Sequence, residues 1–395
     1  MTAGQSPAHP ALAGGPVYLD YNATTPVDPR VTEAMLGYLT HHFGNPSSGH
    51  PYADPPRRAM ADARAQVADL IGARAGDVVF TGGGSEGDTL AIRGAALSAG
   101  DRPVHVITQV TEHPAVLETC RALHRLHDVQ VTYLPVDRDG RVDPAGLAAA
   151  LTPHTRLVSV MAANNETGVV QPISELAAVA HGGGALFHTD AAQAAGKIPL
   201  DVTALDVDLL SIAGHKMYAP TGIGALYVRP GLHLEPAIYG GGQERGLRAG
   251  TEPVALAVAL GAAARLAAHD LATGALTRVA GLRDLLHQRL AELLPERVHL
   301  NGHRTHRLPG TLNVSIAGTR GDQLLALTPG IAAATGSACH TGTPQPSPVL
   351  AAMGYPAERA LAALRLTLGR WTTAEDVERA AAQIAATAGR LGAPA

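Results

Sequence analysis

Short apolar runs and stretches of helical spacing alternate along most of this chain. Runs of strand length are Asp77–Thr81, Val104–Thr108, Val129–Leu134, Arg156–Met161, Ala185–Thr189, Val207–Ile212 and Gly222–Val228. Before and between them, helical patterns cover Pro29–Thr40, Arg57–Ile71, a stretch ending at Leu97, Val116–Leu126, Asp143–Leu151 and Ser174–Ala180. This alternation, over roughly 200 residues, predicts an α/β fold: an open, mostly parallel sheet with helices on both faces.

The rhythm then changes. From Val254 to Leu294 the pattern is helical and predicts one long connector. Beyond it Val298–Leu300, Thr311–Ile316 and Ala363–Leu368 predict strands, and Thr373-Ala-Glu-Asp376 has capping-box spacing for a last helix. The expected division is a loose tail over 1–16, an extended segment over 17–28 that joins the small domain, a large domain over 29–262, and a smaller α+β domain over 263–395. No internal repeat or low-complexity linker interrupts it.

Composition narrows the class. A chain of 395 residues exceeds one compact core, which supports two subdomains. With 46% hydrophobic and 16% charged residues it is neither disordered nor a polyelectrolyte. A formal net charge of −4 gives no reason to expect nucleic acid or an anionic membrane surface. The 2 cysteines, Cys120 and Cys339, lie far apart, which excludes a disulfide framework or a CxxC metal cluster and predicts a reducing cytoplasm. Cys120 falls in a helical pattern and reads as a packed core thiol. Val254–Ala268 carries Arg265 and reads as too short to cross a bilayer.

In such a sheet the functional groups collect at the carboxyl ends of the strands. There the chain places the loop Gly82-Gly-Gly-Ser-Glu-Gly-Asp88, then His113, Asn165, Asp190 and Lys216. A strand, a glycine loop and a helix start can hold a phosphate on backbone N–H groups. Gly82, Gly84 and Gly87 also spell a dinucleotide fingerprint. That reading wants an acid at the end of the next strand, where this chain has Gln109, so a single phosphate is favoured. A lysine at the end of a buried strand loses hydration, its pKa falls, and its neutral amine can form a Schiff base. Singly, Lys216 reads as a lysine leaving for solvent, Asp190 as a helix N-cap, His113 as a histidine beside Pro114 and Asn165 as a turn former. Together they fit pyridoxal phosphate: Asp190 at the ring nitrogen, Gln193 at the ring oxygen, His113 over the ring face.

Leu19-Asp-Tyr-Asn-Ala-Thr-Thr-Pro26, Asn45-Pro-Ser-Ser48, Thr111-Glu-His113, Ala163-Asn-Asn-Glu-Thr-Gly168, His188-Thr-Asp-Ala-Ala-Gln193 and Gly214-His-Lys216 resemble the cysteine desulfurase family. So do Gly240-Gly-Gly-Gln-Glu-Arg245, Arg248-Ala-Gly-Thr251 and Gly336-Ser-Ala-Cys339. The resemblance runs from Tyr18 to about Leu391. It implies aminotransferase fold type I, with a mostly parallel seven-stranded sheet sandwiched by helices and a smaller α+β C-terminal domain, in a pyridoxal-phosphate homodimer with shared active sites. Cys339-His340 and Gln345-Pro-Ser-Pro-Val-Leu350 also resemble selenocysteine lyases.

The resemblance implies roles residue by residue. Lys216 would form the Schiff base, and Asn165 would join Gln193 at the ring oxygen. Gly84, Ser85 and His215 would hold the phosphate, with Thr251 supplied by the opposite subunit. Arg365, assisted by Asn22, would hold the substrate carboxylate, a task suited to a planar fork. Cys339 would accept sulfur from L-cysteine as a persulfide and pass it to an acceptor protein, leaving alanine. The chain departs from the family at Ala213, where a hydroxyl is usual. It departs again at Asp88, expected to add negative charge near the phosphate, and at Ala219-Pro-Thr221. The rival readings are a lyase acting on L-selenocysteine, an aminotransferase for which Cys339 would be incidental, and a catalytically silent scaffold.

Overall fold

The strands that the apolar runs predict join in one sheet, with ends shifted by a residue or two. The computed structural model describes residues 9–100, 102–336 and 345–391. Its strands are β1 Val17–Tyr18, β2 Val78–Thr81, β3 His105–Gln109, β4 Gln130–Leu134, β5 Thr155–Ser159, β6 Leu186–Asp190, β7 Leu209–Ala213, β8 Gly224–Val228, β9 Val298–Leu300, β10 Thr311–Ile316, β11 Ile331–Ala332 and β12 Ala363–Thr367. The main sheet has 7 strands in the order β2-β8-β7-β6-β5-β3-β4. The run β7-β6-β5-β3-β4 is parallel, and β8 lies antiparallel between β2 and β7.

Two-residue periodicity sets the layers. Val78, Phe80, Leu210 and Ile212 pack into one core with Val67, Leu176 and Leu260. Val79, Leu209 and Leu226 point the other way, onto Leu90, Ile92 and Cys120. A parallel sheet covered on both faces needs such near-continuous apolar strands. Burial pushes the Cys120 thiol up to about 12, helped by Glu112, so this cysteine is an inert core group.

The expected long connector is two helices, Val254–Ala272 and Ala275–Leu293, parted where Gly274 takes a φ of 73°. Leu266 and Ala267 pack in the same core as the main sheet, and Val279, beyond Gly274, packs in the core of the second sheet. The first of these helices has 19 residues and, by length and composition only, is long and apolar enough to cross a membrane, which corrects the shorter reading. Here its Ala257, Leu260 and Ala264 are buried in protein. Gly261 lies against helix Asp54–Leu70, where a Cβ would come within 2.7 Å of the Ala63 Cα.

The small domain holds the antiparallel sheet β12-β10-β9 under Ala275–Leu293 and Ala374–Leu391. The capping box forms: the Thr373 N–H donates to Asp376 Oδ2 at 3.0 Å, and the Asp376 N–H to Thr373 Oγ1 at 3.1 Å. The N-terminal segment crosses to this domain, with β1 parallel to β11 and Asp20 bridging to Thr367. Residues 9–12 are not loose. His9 is buried against the Trp371 ring and shares a 2.9 Å hydrogen bond with the Val27 carbonyl, opening the turn Pro10–Leu12.

Candidate active site

The carboxyl ends of β6 and β7 and the start of helix Gly84–Leu97 open onto a cavity of about 320 Å³. Asn22, Gly84, Ser85, His113, Asn165, Asp190, Gln193, His215, Lys216 and Arg365 line it together. Thr251 is exposed and does not line it. Cys339 lies outside the described residues. Its flanks are placed, however. Ser347 Oγ donates to Glu166 Oε2 at 2.5 Å, and a Cβ on Gly336 would fall 2.6 Å from that oxygen, so both flanks meet beside Asn165.

Lys216 follows β7 in the short turn Gly214–Lys216. Its Nζ donates to the carbonyls of Asn22 and Ala23, at 2.7 Å each. Burial, reinforced by Arg365 and only partly opposed by Asp190 and Asp20, lowers its pKa to about 8. A substantial neutral fraction at physiological pH makes this amine nucleophilic. Asp190 is buried at the end of β6, with Oδ1 accepting the Ala192 N–H at 2.8 Å. Burial raises its carboxyl despite that bond, His113 and Lys216. A buried acid of this kind is suited to a cationic partner brought by a ligand.

His113 caps helix Pro114–His127, its Nδ1 accepting the Ala115 N–H at 3.1 Å. Neutral imidazole then carries its proton on Nε2. Desolvation lowers its pKa, with Lys216 adding to the shift and Asp190 opposing it. Beneath the cavity Asp88 corrects its expected role. It is buried, its carboxyl is pushed well up by burial and then by Asp190, and its Oδ1 has no hydrogen-bond partner. Burial thus opposes the negative charge expected of Asp88 near the phosphate cradle.

That cradle is built from backbone. Helix Gly84–Leu97 starts without a side-chain cap, which leaves its first N–H groups for a ligand. Ser85 and His215 stand beside it, and burial, then Lys216, Lys197 and His113, lowers the His215 ring to about 4. The Ala213 methyl group faces the loop, 3.2 Å from where a Gly84 Cβ would sit. Gly224 lets the loop approach: a Cβ there would fall 2.7 Å from the Gly83 carbonyl carbon. Uncapped N–H groups, a hydroxyl, an imidazole, a buried acid and a softened lysine match a phosphorylated aldehyde with a basic ring nitrogen.

The opposite wall comes from the N-terminal segment and the small domain. Arg365 Nη2 donates to Asp20 Oδ1 at 2.8 Å and Nη1 to the Asn165 carbonyl at 3.5 Å, while its buried Nε has no partner. The guanidinium is thus held in place with donor capacity left for an anion. Asn22 is more committed than expected: Nδ2 donates to the Asn165 carbonyl and to Thr311 Oγ1, and Oδ1 accepts from Lys197. With every group of that amide engaged, Asn22 is a connector between domains. Sequence reasoning missed Asp20, though it lies inside the first motif, and Lys197, which follows the Gln193 motif.

Residues 17–380 match the aminotransferase class-V family. The chain belongs to that family. It is 48% identical over 368 residues to the cysteine desulfurase IscS of Anaeromyxobacter dehalogenans (strain 2CP-C), covering 92% of this chain and 90% of the relative. It is 46% identical over 366 residues to the cysteine desulfurase of Homo sapiens, covering 92% and 79%. Among solved structures it superposes on a NifS-like protein with a TM-score of 0.87 at 35% identity, covering 94% of this chain and 98% of the other. SspA in complex with cysteine matches with a TM-score of 0.77 at 36% identity, covering 90% and 99%. The class-V aminotransferase fold seen here is the arrangement that brings the glycine loop, Asp190 and Lys216 to one end of the sheet.

Proposed function

We propose that this chain is a pyridoxal-phosphate-dependent cysteine desulfurase that moves sulfur from L-cysteine to Cys339 and releases L-alanine. The observation that carries the reading is a softened Lys216 and a buried Asp190 in one cavity with an uncapped helix start, in a chain whose relatives are named cysteine desulfurases. Lys216 would hold the cofactor, Asp190 its ring nitrogen, Gln193 its ring oxygen, and Ser85, His215 and the start of helix Gly84–Leu97 its phosphate. Once bound, pyridoxal phosphate supplies an electron sink for a carbanion at the substrate Cα.

The chain's own residues do the rest. Arg365, fixed by Asp20 and the Asn165 carbonyl, holds the substrate carboxylate through its remaining donors. The free amine of Lys216 takes the Cα proton onto Nζ, and the Asn22 and Ala23 carbonyls orient it. The Cys339 thiolate attacks the substrate sulfur. A sulfur–sulfur bond forms, and the carbon–sulfur bond breaks with its electron pair left on carbon. That carbon takes a proton to become the methyl group of alanine, and Cys339 keeps the sulfur as a persulfide for an acceptor protein. A thiol that must stay reduced between turnovers fits a cytoplasmic enzyme.

Thr251, exposed and away from its own cavity, fits a second copy's phosphate site, which makes the working unit a homodimer. Light scattering is expected to give twice the chain mass, and a fully active monomer would exclude the shared site. Borohydride reduction of the loaded protein followed by peptide mapping is expected to place the pyridoxyl group on Lys216; an adduct on another lysine rejects the assignment. Cys339→Ala should keep the cofactor colour and lose alanine formation from L-cysteine. Alanine formation at the wild-type rate would sink the persulfide step.

A further inference from the structure

A second amine stands behind the cavity wall, and the steps above do not use it. Lys197 lies four residues beyond Gln193, at the edge of a smaller cavity of about 70 Å³ between the domains that Tyr21, Tyr218, Asp270 and Arg278 also line. Its Nζ donates to Gln193 Oε1 at 2.9 Å and to Asn22 Oδ1 at 3.3 Å. Among the described residues no carboxylate pairs with it: Asp270, on the same cavity, is taken by Arg370 at 2.7 Å. The charges that act on it are Lys216 and Arg365, both cations, and with burial as the leading cause they lower its pKa to about 7.

A group that donates to two amides decides which way both of them point. Gln193 turns its oxygen to Lys197, so its NH₂ group faces the other way, with one hydrogen on the Asn22 carbonyl at 2.9 Å and one left for the main cavity. Asn22 does the same, sending Nδ2 to the Asn165 carbonyl at 3.1 Å and to Thr311 Oγ1 at 3.0 Å. Were either amide flipped, an N–H would face the Lys197 amine and an oxygen would face an oxygen. Lys216 donates to the Asn22 backbone carbonyl at 2.7 Å, so the two lysines touch the main chain and the side chain of one residue.

We propose that Lys197 is a positioning residue of the active site: it fixes the side-chain amides of Gln193 and Asn22 so that a Gln193 N–H is presented to the bound cofactor. The inference rests on the pyridoxal phosphate reading above. Lys197→Met removes the donor at similar length, and Lys197→Gln keeps an N–H for the same oxygens. Three readouts are needed: the dissociation constant of pyridoxal phosphate from stripped protein, the pH titration of the absorbance of the loaded protein, and the thermal midpoint of the stripped protein. Lys197→Met is expected to weaken cofactor binding about tenfold, in line with loss of an oriented hydrogen bond, and to move the titration midpoint by about one pH unit. Lys197→Gln is expected to recover most of both.

A Met variant within twofold of wild type in binding, with an unmoved titration, overturns the proposal. So does a Gln variant no better than the Met variant, or a Met variant whose only change is its thermal midpoint. If Lys197→Met does not fold, a crystal structure of the loaded wild-type protein decides. Nζ on the Gln193 and Asn22 oxygens supports the proposal, and Nζ turned away from both overturns it. A wild type that fails to load pyridoxal phosphate on Lys216 would instead defeat the functional reading itself.

Discussion

The floor and the wall of the cavity keep polar groups out of water by opposite means. On the floor, burial opposes charge. His188 sits between Ser159 Oγ at 2.8 Å and Ser211 Oγ at 3.0 Å, and burial lowers its pKa to about 3. Burial, then Asp190, raises Glu112 to about 8, and the same causes raise Asp88. Along the seam behind the wall, arginines are paired with carboxylates. Arg370 meets Asp28 at 2.6 Å and Asp270 at 2.7 Å, while Arg365 meets Asp20 at 2.8 Å. Burial alone would push Asp28 up, but bonds from Arg30 and the charge of Arg370 hold it at about 2. Neutral groups suit the end of one rigid sheet, where a stray charge would compete with Asp190. Ion pairs suit a seam whose two sides must find each other in one register.

The largest effect should come from breaking the wall. Arg370→Met leaves Asp28 and Asp270 without their shared cation, and also removes the guanidinium lying 4.2 Å from the Tyr218 ring centre. A loss of about 3–5 kcal/mol is expected for a buried pair broken from one side. Urea unfolding measures it, and a loss below about 1 kcal/mol would show that the seam does not depend on this pair.

The floor should answer to pH. A carboxyl whose folded pKa is raised favours the native state least where the unfolded chain is ionised and the folded one is not. Stability owed to Glu112 is therefore intact below about pH 4.5 and declines as pH rises toward about 8. Glu112→Gln keeps an oxygen for the Gln109 and Met161 donors. It should match wild type near pH 4 and exceed it by at least about 1 kcal/mol at pH 8. Thermal midpoints at both pH values test this, and equal midpoints at pH 8 would mean that Glu112 is ionised in the native state.

The smallest effect is sought at the cradle. Ala213→Ser adds a hydroxyl where the floor presents a methyl group, and cofactor loss on dialysis should slow by up to about tenfold. Unchanged retention would mean that backbone N–H groups already satisfy the phosphate.

The floor was the more legible of the two regions, for a physical reason. Asp190 and Lys216 follow apolar runs of strand length, and burial on both faces is written locally in the run Leu209, Leu210 and Ile212. The capping box at Thr373 was legible for the same reason. The wall is made of contacts between residues far apart in sequence. Asp20 reaches Arg365 and Asn22 reaches Thr311, and no local pattern announces either pair. Lys197 was passed over because only the packed fold shows what surrounds it. The burial of Asp88, which opposes its charge, was not legible because its neighbours are glycine-rich. The long connector was misread because Gly274 is a single residue inside an otherwise helical pattern.

The pairing of β1 with β11 has a consequence for the order in which the molecule is made. Val17 and Tyr18 leave the ribosome well ahead of their partners Ile331 and Ala332, which are more than 300 positions later. Asn22 waits longer still, since its N–H is held by Thr367 Oγ1. During translation the main sheet can assemble from β2 through β8 as those strands emerge, while Leu19–Pro26 still lacks its small-domain partners. The carbonyls that orient Lys216 are therefore delivered last, and a nascent chain with a finished sheet still has no site to load.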